Sequence, residues 1–145
     1  MGVLRDNLYG AFNFLVGIDK ITVGGFSEVS GLGLEIVYFD YRNGNDKINA
    51  VRKIPGIYKN SDVTLKRGIV GSTELFKWLK QVAAGTPSAR DLAVIMLDEA
   101  RQSVLVWKLH RAQPKKWSGP HLAAAVAGAI AMEELVLVHE GLEME

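Results

Sequence analysis

The sequence predicts a mainly β fold with one α-helix and a projecting hairpin arm, built as a single domain over residues 1–145. Three observations carry this. Period-two alternation of apolar and polar residues recurs along most of the chain, and one segment alone has helical periodicity. A turn cluster flanked by aromatic residues interrupts the middle.

Length and charge bound the function. A chain of 145 residues can bury about two thirds of its unfolded surface without crosslinks or metals. Seventeen Lys and Arg stand against sixteen Asp and Glu, a formal charge of +1. No basic field argues for nucleic acid and no acidic field for a cationic partner. The absence of cysteine excludes disulfides, thiolate catalysis and cysteine-bound zinc, and fits a reducing compartment. Arg5 and Asp6 precede alternation where a signal peptide would carry an unbroken apolar run, and Asp6 argues against myristoylation at Gly2. The most apolar run, Leu122 to Met132, falls short of the roughly 20 residues that span a bilayer. A soluble chain that does not itself insert into membranes is expected.

Phe12, Phe14, Val16 and Ile18 alternate with Asn13, Leu15, Gly17 and Asp19, which predicts a strand turned at Asp19-Lys20. From Gly24 to Ile36, GGFSEVSGLGLEI sets four glycines among Phe26, Val29, Leu32, Leu34 and Ile36, as in a strand bent by bulges. A phosphate loop is disfavoured, because no Lys-Ser/Thr follows and no helix opens there.

Residues 38–52 form the candidate arm. Tyr38, Phe39, Tyr41 and Arg42 lead into the turn cluster Asn43-Gly44-Asn45-Asp46. Aromatic residues with arginine are enriched in interface hot spots. The same residues in an ordinary long loop would fold onto the core, and the sequence leaves both readings open. In KIPGIYKNSDVTLKRG, from Lys53 to Gly68, Pro55-Gly56 reads as one turn and Asn60-Ser61-Asp62 as another. Val63 and Leu65 then alternate with Thr64 and Lys66, a half-buried strand with a basic end at Lys66-Arg67-Gly68.

Ser72 to Gly85 is the predicted helix. Leu75, Trp78, Leu79 and Val82 share one face, while Lys77, Lys80 and Gln81 face water. Ser72 suits the N-cap, Glu74 the positive end of the dipole, and Gly85 the left-handed C′ position, with Pro87 forbidding continuation. Trp78 reads as a core anchor. Leu92 to Leu97 is continuously apolar, as in a strand covered on both sides, and Asp98 to Gln102 turns it into a second strand, Ser103 to Arg111. QPKKWSGP then reads as loop, with Lys115 and Lys116 simply solvated beside Trp117. Alanine favours helix across Leu122 to Met132, but Gly128 interrupts it and the β-branched run that follows argues otherwise. The expectation is a loop, then a strand from about Ile130 to His139 that stops at His139-Glu140-Gly141.

Catalytic patterns are missing. His110, His121 and His139 lie on separate segments without zinc-site spacing. Asp98-Glu99 and Glu133-Glu134 are sequence neighbours that point apart in strands or turns. No serine sits in a nucleophile elbow. The chain is expected to have no catalytic, cofactor or metal residues and not to be an enzyme.

Taken together, GFSEVSGLGLEI, the Tyr41-Arg42-Asn43-Gly44 turn, KIPG followed by DVTLKRG, the helix containing Trp78, Ala112-Gln113-Pro114-Lys115, and EELVLVHEGLE at Glu133 to Glu143 resemble a known family. The chain is similar, from about Phe12 to Glu143, to tail tube proteins of contractile phages and of phage-tail-like extracellular contractile injection systems. These share a fold with the hemolysin-coregulated tube protein of type VI secretion. In the family the segment before the last strand is usually polar, whereas Leu122 to Ala131 is alanine-rich here.

The resemblance implies a small β-barrel or sandwich of the phage tail tube type, flanked by one helix, that assembles as a homo-hexameric ring and stacks into a hollow inner tube conducting DNA or protein cargo. Sheath, baseplate or spike, and tube-terminator proteins are the implied partners, and the implied setting is a particle assembled in the bacterial cytoplasm and carried in a virion tail or a released injection system. On this reading Tyr38, Phe39, Tyr41, Arg42, Asn43, Asn45, Asp46 and Lys47 are expected at the subunit or ring interface. Thr64, Lys66, Lys108 and His110, on the polar strand faces, are expected to line the lumen. The alternative is a monomeric β-barrel that binds a small molecule inside.

Overall fold

The computed structural model describes residues 13–19, 21–42, 44, 51–69, 73–120, 122 and 131–145. Phe12, Lys20, Asn43, Asn45, Asp46, Lys47, Ser72, His121 and the stretch 123–130 lie outside the described residues. The strands are β1 (Asn13–Ile18), β2 (Ile21–Gly25), β3 (Glu28–Ser30), β4 (Leu34–Tyr41), β5 (Arg52–Asn60), β6 (Val63–Gly68), β7 (Arg90–Leu97), β8 (Ser103–Ser118), β9 (Met132–Val138) and β10 (Gly141–Met144). The helix α1 (Glu74–Ala83) separates β6 from β7.

Eight strands form one sheet of order β2-β1-β7-β8-β9-β6-β3, with β10 added to β8. The long strand β8 joins two leaves. Its first part pairs with β7 and β10, and its last part, from Gln113, pairs with β9. Between them Arg90 pairs with Ala112 but Leu92 with Leu109, so β8 carries an extra residue there. Arg111 takes a left-handed φ of 50° at this bulge, and its N–H, drawn out of the ladder, donates to Asp91 Oδ1 at 3.0 Å. A bulge bends a strand, and here it lets one strand serve both leaves.

The inward residues of both leaves meet in one core. Val16 and Ile18 of β1, Leu92 and Val94 of β7, and Leu109 of β8 pack with Val63 and Leu65 of β6 and Leu135 and Leu137 of β9. The helix contributes Leu75 and Trp78, and Trp78 Nε1 donates to the Ser88 carbonyl at 2.7 Å. That bond satisfies the indole while its ring fills the core. Trp78 is therefore the anchor expected, and Gly85 has the left-handed φ, 92°, expected beyond the helix end. The N-cap position falls on Thr73 and makes no side-chain cap bond.

Several expectations are corrected. The segment Gly24 to Ile36 is not one bent strand but runs through β2, β3 and β4, which pair with β1, β6 and β5 respectively. Pro55-Gly56 is no turn, since both residues lie inside β5, where proline sits opposite Tyr38 next to a register shift. An edge strand at a bulge is where a missing N–H costs least. QPKKWSGP is mostly strand, as β8 extends to Ser118. Lys115 is ion-paired with Asp62 at 2.8 Å. The run from Leu92 to Leu97 buries Leu92, Val94 and Leu97, while Ala93, Ile95 and Met96 stay half-buried. After the stop at His139-Glu140 a further strand, β10, returns onto β8. Arg67, read as part of a basic end, is 4% exposed.

Candidate functional site

The arm is a two-stranded ribbon, β4 paired with β5, that makes no ladder with the main sheet. It extends the β3–β6 pair and is longer than residues 38–52, since its ladder begins at Leu34 opposite Asn60. The register defines its two faces. Leu34 and Ile36 lie opposite Asn60 and Tyr58, the register shifts between Ile36 and Tyr38, and Phe39 and Tyr41 then lie opposite Ile54 and Arg52. Paired residues share a face, and because the extra residue lies in β5, β4 keeps its alternation. Leu34, Ile36, Tyr38 and Asp40 share one face with Tyr58, Pro55 and Lys53, and Glu35, Phe39 and Tyr41 share the other with Lys59, Ile54 and Arg52. Leu34, Ile36, Phe39, Tyr41, Ile54 and Tyr58 are all exposed, Phe39 at 59% and Tyr58 at 60%. Asp40 and Lys53 form an ion pair. Each face therefore carries exposed apolar side chains beside charged ones.

Local packing holds this shape. A Cβ on Gly56 would sit 2.3 Å from Phe39 Cε2 and 3.0 Å from the Val37 carbonyl. Glycine there makes room for the Phe39 ring. At the base, Ser61 N donates to the Gly33 carbonyl at 3.2 Å, and buried His139 donates from Nε2 to the Ser61 carbonyl at 3.0 Å. The arm therefore leaves the body at a fixed point.

Of the expected interface residues, Tyr38, Phe39, Tyr41 and Arg42 are all exposed on or beside the arm. Tyr38 shares a face with Leu34, Ile36 and Asp40, opposite Pro55. Thr64 and Lys66 are neighbours on the outer face of the leaf β3-β6-β9, where Glu28, Lys66 and Glu134 form one cross-strand row and Ser30, Thr64 and Val136 the next. Lys66 reaches Glu28 at 3.4 Å.

Lys108 and His110 lie instead on the outer face of the other leaf. There Gly17, Ala93, Lys108 and Glu143 make one row and Leu15, Ile95 and Val106 another. Lys108 bonds Glu145 at 2.7 Å. That hydrogen bond, helped by the charges of Glu145 and Glu143, holds the Lys108 ammonium above its ordinary range. The structure thus brings each polar pair together but sets the two pairs on opposite sides of the core. Among the described residues no group of His, Asp and Glu could hold a metal ion.

The family model for the T4-like virus tail tube protein gp19 matches residues 10–143. The chain belongs to this tail tube family. No curated protein sequence matches it. Among solved structures, the tail tube protein is similar to a chain of an extracellular contractile injection system, the PVC sheath-tube complex in the extended state, with TM-score 0.87, 23% identity and coverage of 99% of this chain and 95% of that one. It is similar to a chain of the anti-feeding prophage baseplate, 6-fold symmetrised, with TM-score 0.78, 18% identity and coverage of 95% and 94%. Hcp1 from Flavobacterium johnsoniae shares the fold at TM-score 0.57, 13% identity and coverage of 92% and 94%.

Proposed function

We propose that this tail tube protein forms the inner tube of a contractile tail or injection particle, closing into hexameric rings that stack around a channel for protein or DNA cargo. The exposed apolar residues of the arm are the observation that carries this. Six large apolar side chains on a ribbon that projects from the core need a partner surface, and a family of tube builders supplies one in the next copy. Tyr38, Phe39, Tyr41 and Arg42, with Asn43, Asn45, Asp46 and Lys47 at the tip, are assigned to contacts between subunits or rings. The sheath and baseplate named for the similar structures, together with a tube terminator, are the proposed partners. The role is structural, with no catalysis, and assembly takes place in the bacterial cytoplasm.

A conducting wall is polar, because hydrated side chains do not hold passing chains as apolar patches do. Two polar pairs that face opposite ways cannot both border one channel. The cross-strand rows through Lys66 and Thr64 support the β3-β6-β9 face as the wall, while Lys108 and His110, beside apolar Leu15, Ile95 and Val106, fit the wall less well. Negative-stain imaging of concentrated protein tests the proposal. Six-fold rings or hollow tubes are expected, and a field of small isolated particles would overturn it.

A further inference from the structure

The arm base and the C-terminal strand enclose a cleft of about 590 Å³. Leu34, Ile36 and Tyr58 line it from one face of the arm, Leu142 lines it from β10, and Glu140 and Glu143 stand in its lining. Among the described residues, Glu140 Oε2 pairs with Arg111 at 2.6 Å and Glu143 Oε2 with His110 at 3.3 Å, each carboxylate using one oxygen. Their other oxygens remain for an incoming donor.

We propose that the arm tip of one copy seats in this cleft of a neighbouring copy, Phe39 and Tyr41 against the apolar wall and Arg52 against Glu140 and Glu143. This rests on the tube reading and names the acceptor surface for its arm. The chemistry of the two ends matches. Residues 40–53 carry Arg42, Lys47, Arg52 and Lys53 against Asp40 and Asp46, while residues 140–145 carry Glu140, Glu143 and Glu145 with no cation. Arg52 lies opposite Tyr41 in the ladder, so an aromatic ring and a guanidinium arrive side by side, the pairing favoured where an apolar pocket has an acidic rim.

A second copy is the occupant because the chain cannot fill its own cleft. The cleft is at the base of the arm, and a strand of this length places the tip roughly 25 Å away. Tip and cleft are different patches, so the contact is head-to-tail. Such contacts generate closed rings or open filaments, the two geometries a tube combines.

The chain has no cysteine, which makes cross-linking clean. Tyr41→Cys marks the tip and Tyr58→Cys the cleft, both at exposed positions. The two variants are mixed unfolded or dissociated, allowed to assemble, and treated with a short bismaleimide. Cross-linked dimers are expected in the mixture well above either variant alone. As a second measure, Arg52→Glu and Glu143→Arg should each abolish assembly at a concentration where the parent assembles, and the double variant should restore it. If imaging shows rings or tubes but the mixture cross-links no more than the single variants, or the double variant fails to recover, the docking is wrong and the tube reading stands. If neither parent nor variants assemble, the tube reading fails and the docking with it.

Discussion

Arg67 Nε donates to Glu133 Oε1 at 2.5 Å inside the body of the protein, where the two side chains are 4% and 5% exposed. The pair ties β6 to β9 and reaches further. Arg67 Nη1 approaches Glu74 at the start of α1 at 3.4 Å, its guanidinium lies over the Phe26 ring at 5.2 Å, and Trp117 Nε1 donates to Glu133 Oε2 at 3.3 Å. Removing one partner of a buried pair leaves the other charge uncompensated, at a cost of about 3–5 kcal/mol, whereas an apolar replacement of both is often neutral. Glu133→Ala should therefore destabilise the subunit by about that amount in urea titration. Arg67→Met with Glu133→Leu should recover most of it, and equal loss in the single and double variants would show that the charges themselves are not at issue.

Gly56→Ala tests whether the arm's shape matters apart from its presence. The added methyl meets the Phe39 ring and the Val37 carbonyl, so the face that carries Phe39 must rearrange. Because the arm is exposed and outside the core, unfolding of the body should change by less than about 1 kcal/mol. Assembly should fall sharply by light scattering. Normal assembly with an altered unfolding curve would place the arm in the folding unit instead.

Lys108 gives a pH-dependent signature. Its folded-state pKa is raised above the ordinary 10.5 by the hydrogen bond to Glu145 and the charges of Glu145 and Glu143. The interaction is therefore fully present below 10.5 and is lost as pH rises through the raised folded value. Glu145→Gln should bring the Lys108 titration, followed by NMR of its side chain, back down toward the ordinary value. At neutral pH the melting temperature should barely move, since the pair is exposed. An unchanged titration would mean that another group holds the ammonium.

Cysteine placed singly at Lys66 or Lys108 reads the wall. In capped tubes a maleimide too bulky to enter should spare the Lys66 position and label the Lys108 position. Rapid labelling at the Lys66 position would remove the β3-β6-β9 face from the lumen.

Half-buried strands were legible because alternation records which side is covered, as at Val63 and Leu65. The same alternation extends to Arg67, which was the available sign that this arginine points inward. The arm's register was not legible, because the extra residue that β5 carries between Pro55 and Tyr58 shows only once the two strands are paired. Pro55 reads in sequence as part of a turn and Pro114 as part of a loop, yet each sits in a strand beside a register irregularity. Strand β10 has four residues, GLEM, too few to show a period. Its place is set by pairing with β8, a long-range contact that local pattern does not encode.

The mass of the purified protein in solution tests the central claim most directly. Light scattering at high micromolar concentration should give rings and larger stacks, with replacement of Asn43 to Asp46 by a two-residue turn leaving the subunit folded but reducing the stacks. A single sharp species at the monomer mass of 15.9 kDa, with neither rings nor tubes at any concentration reached, would contradict it.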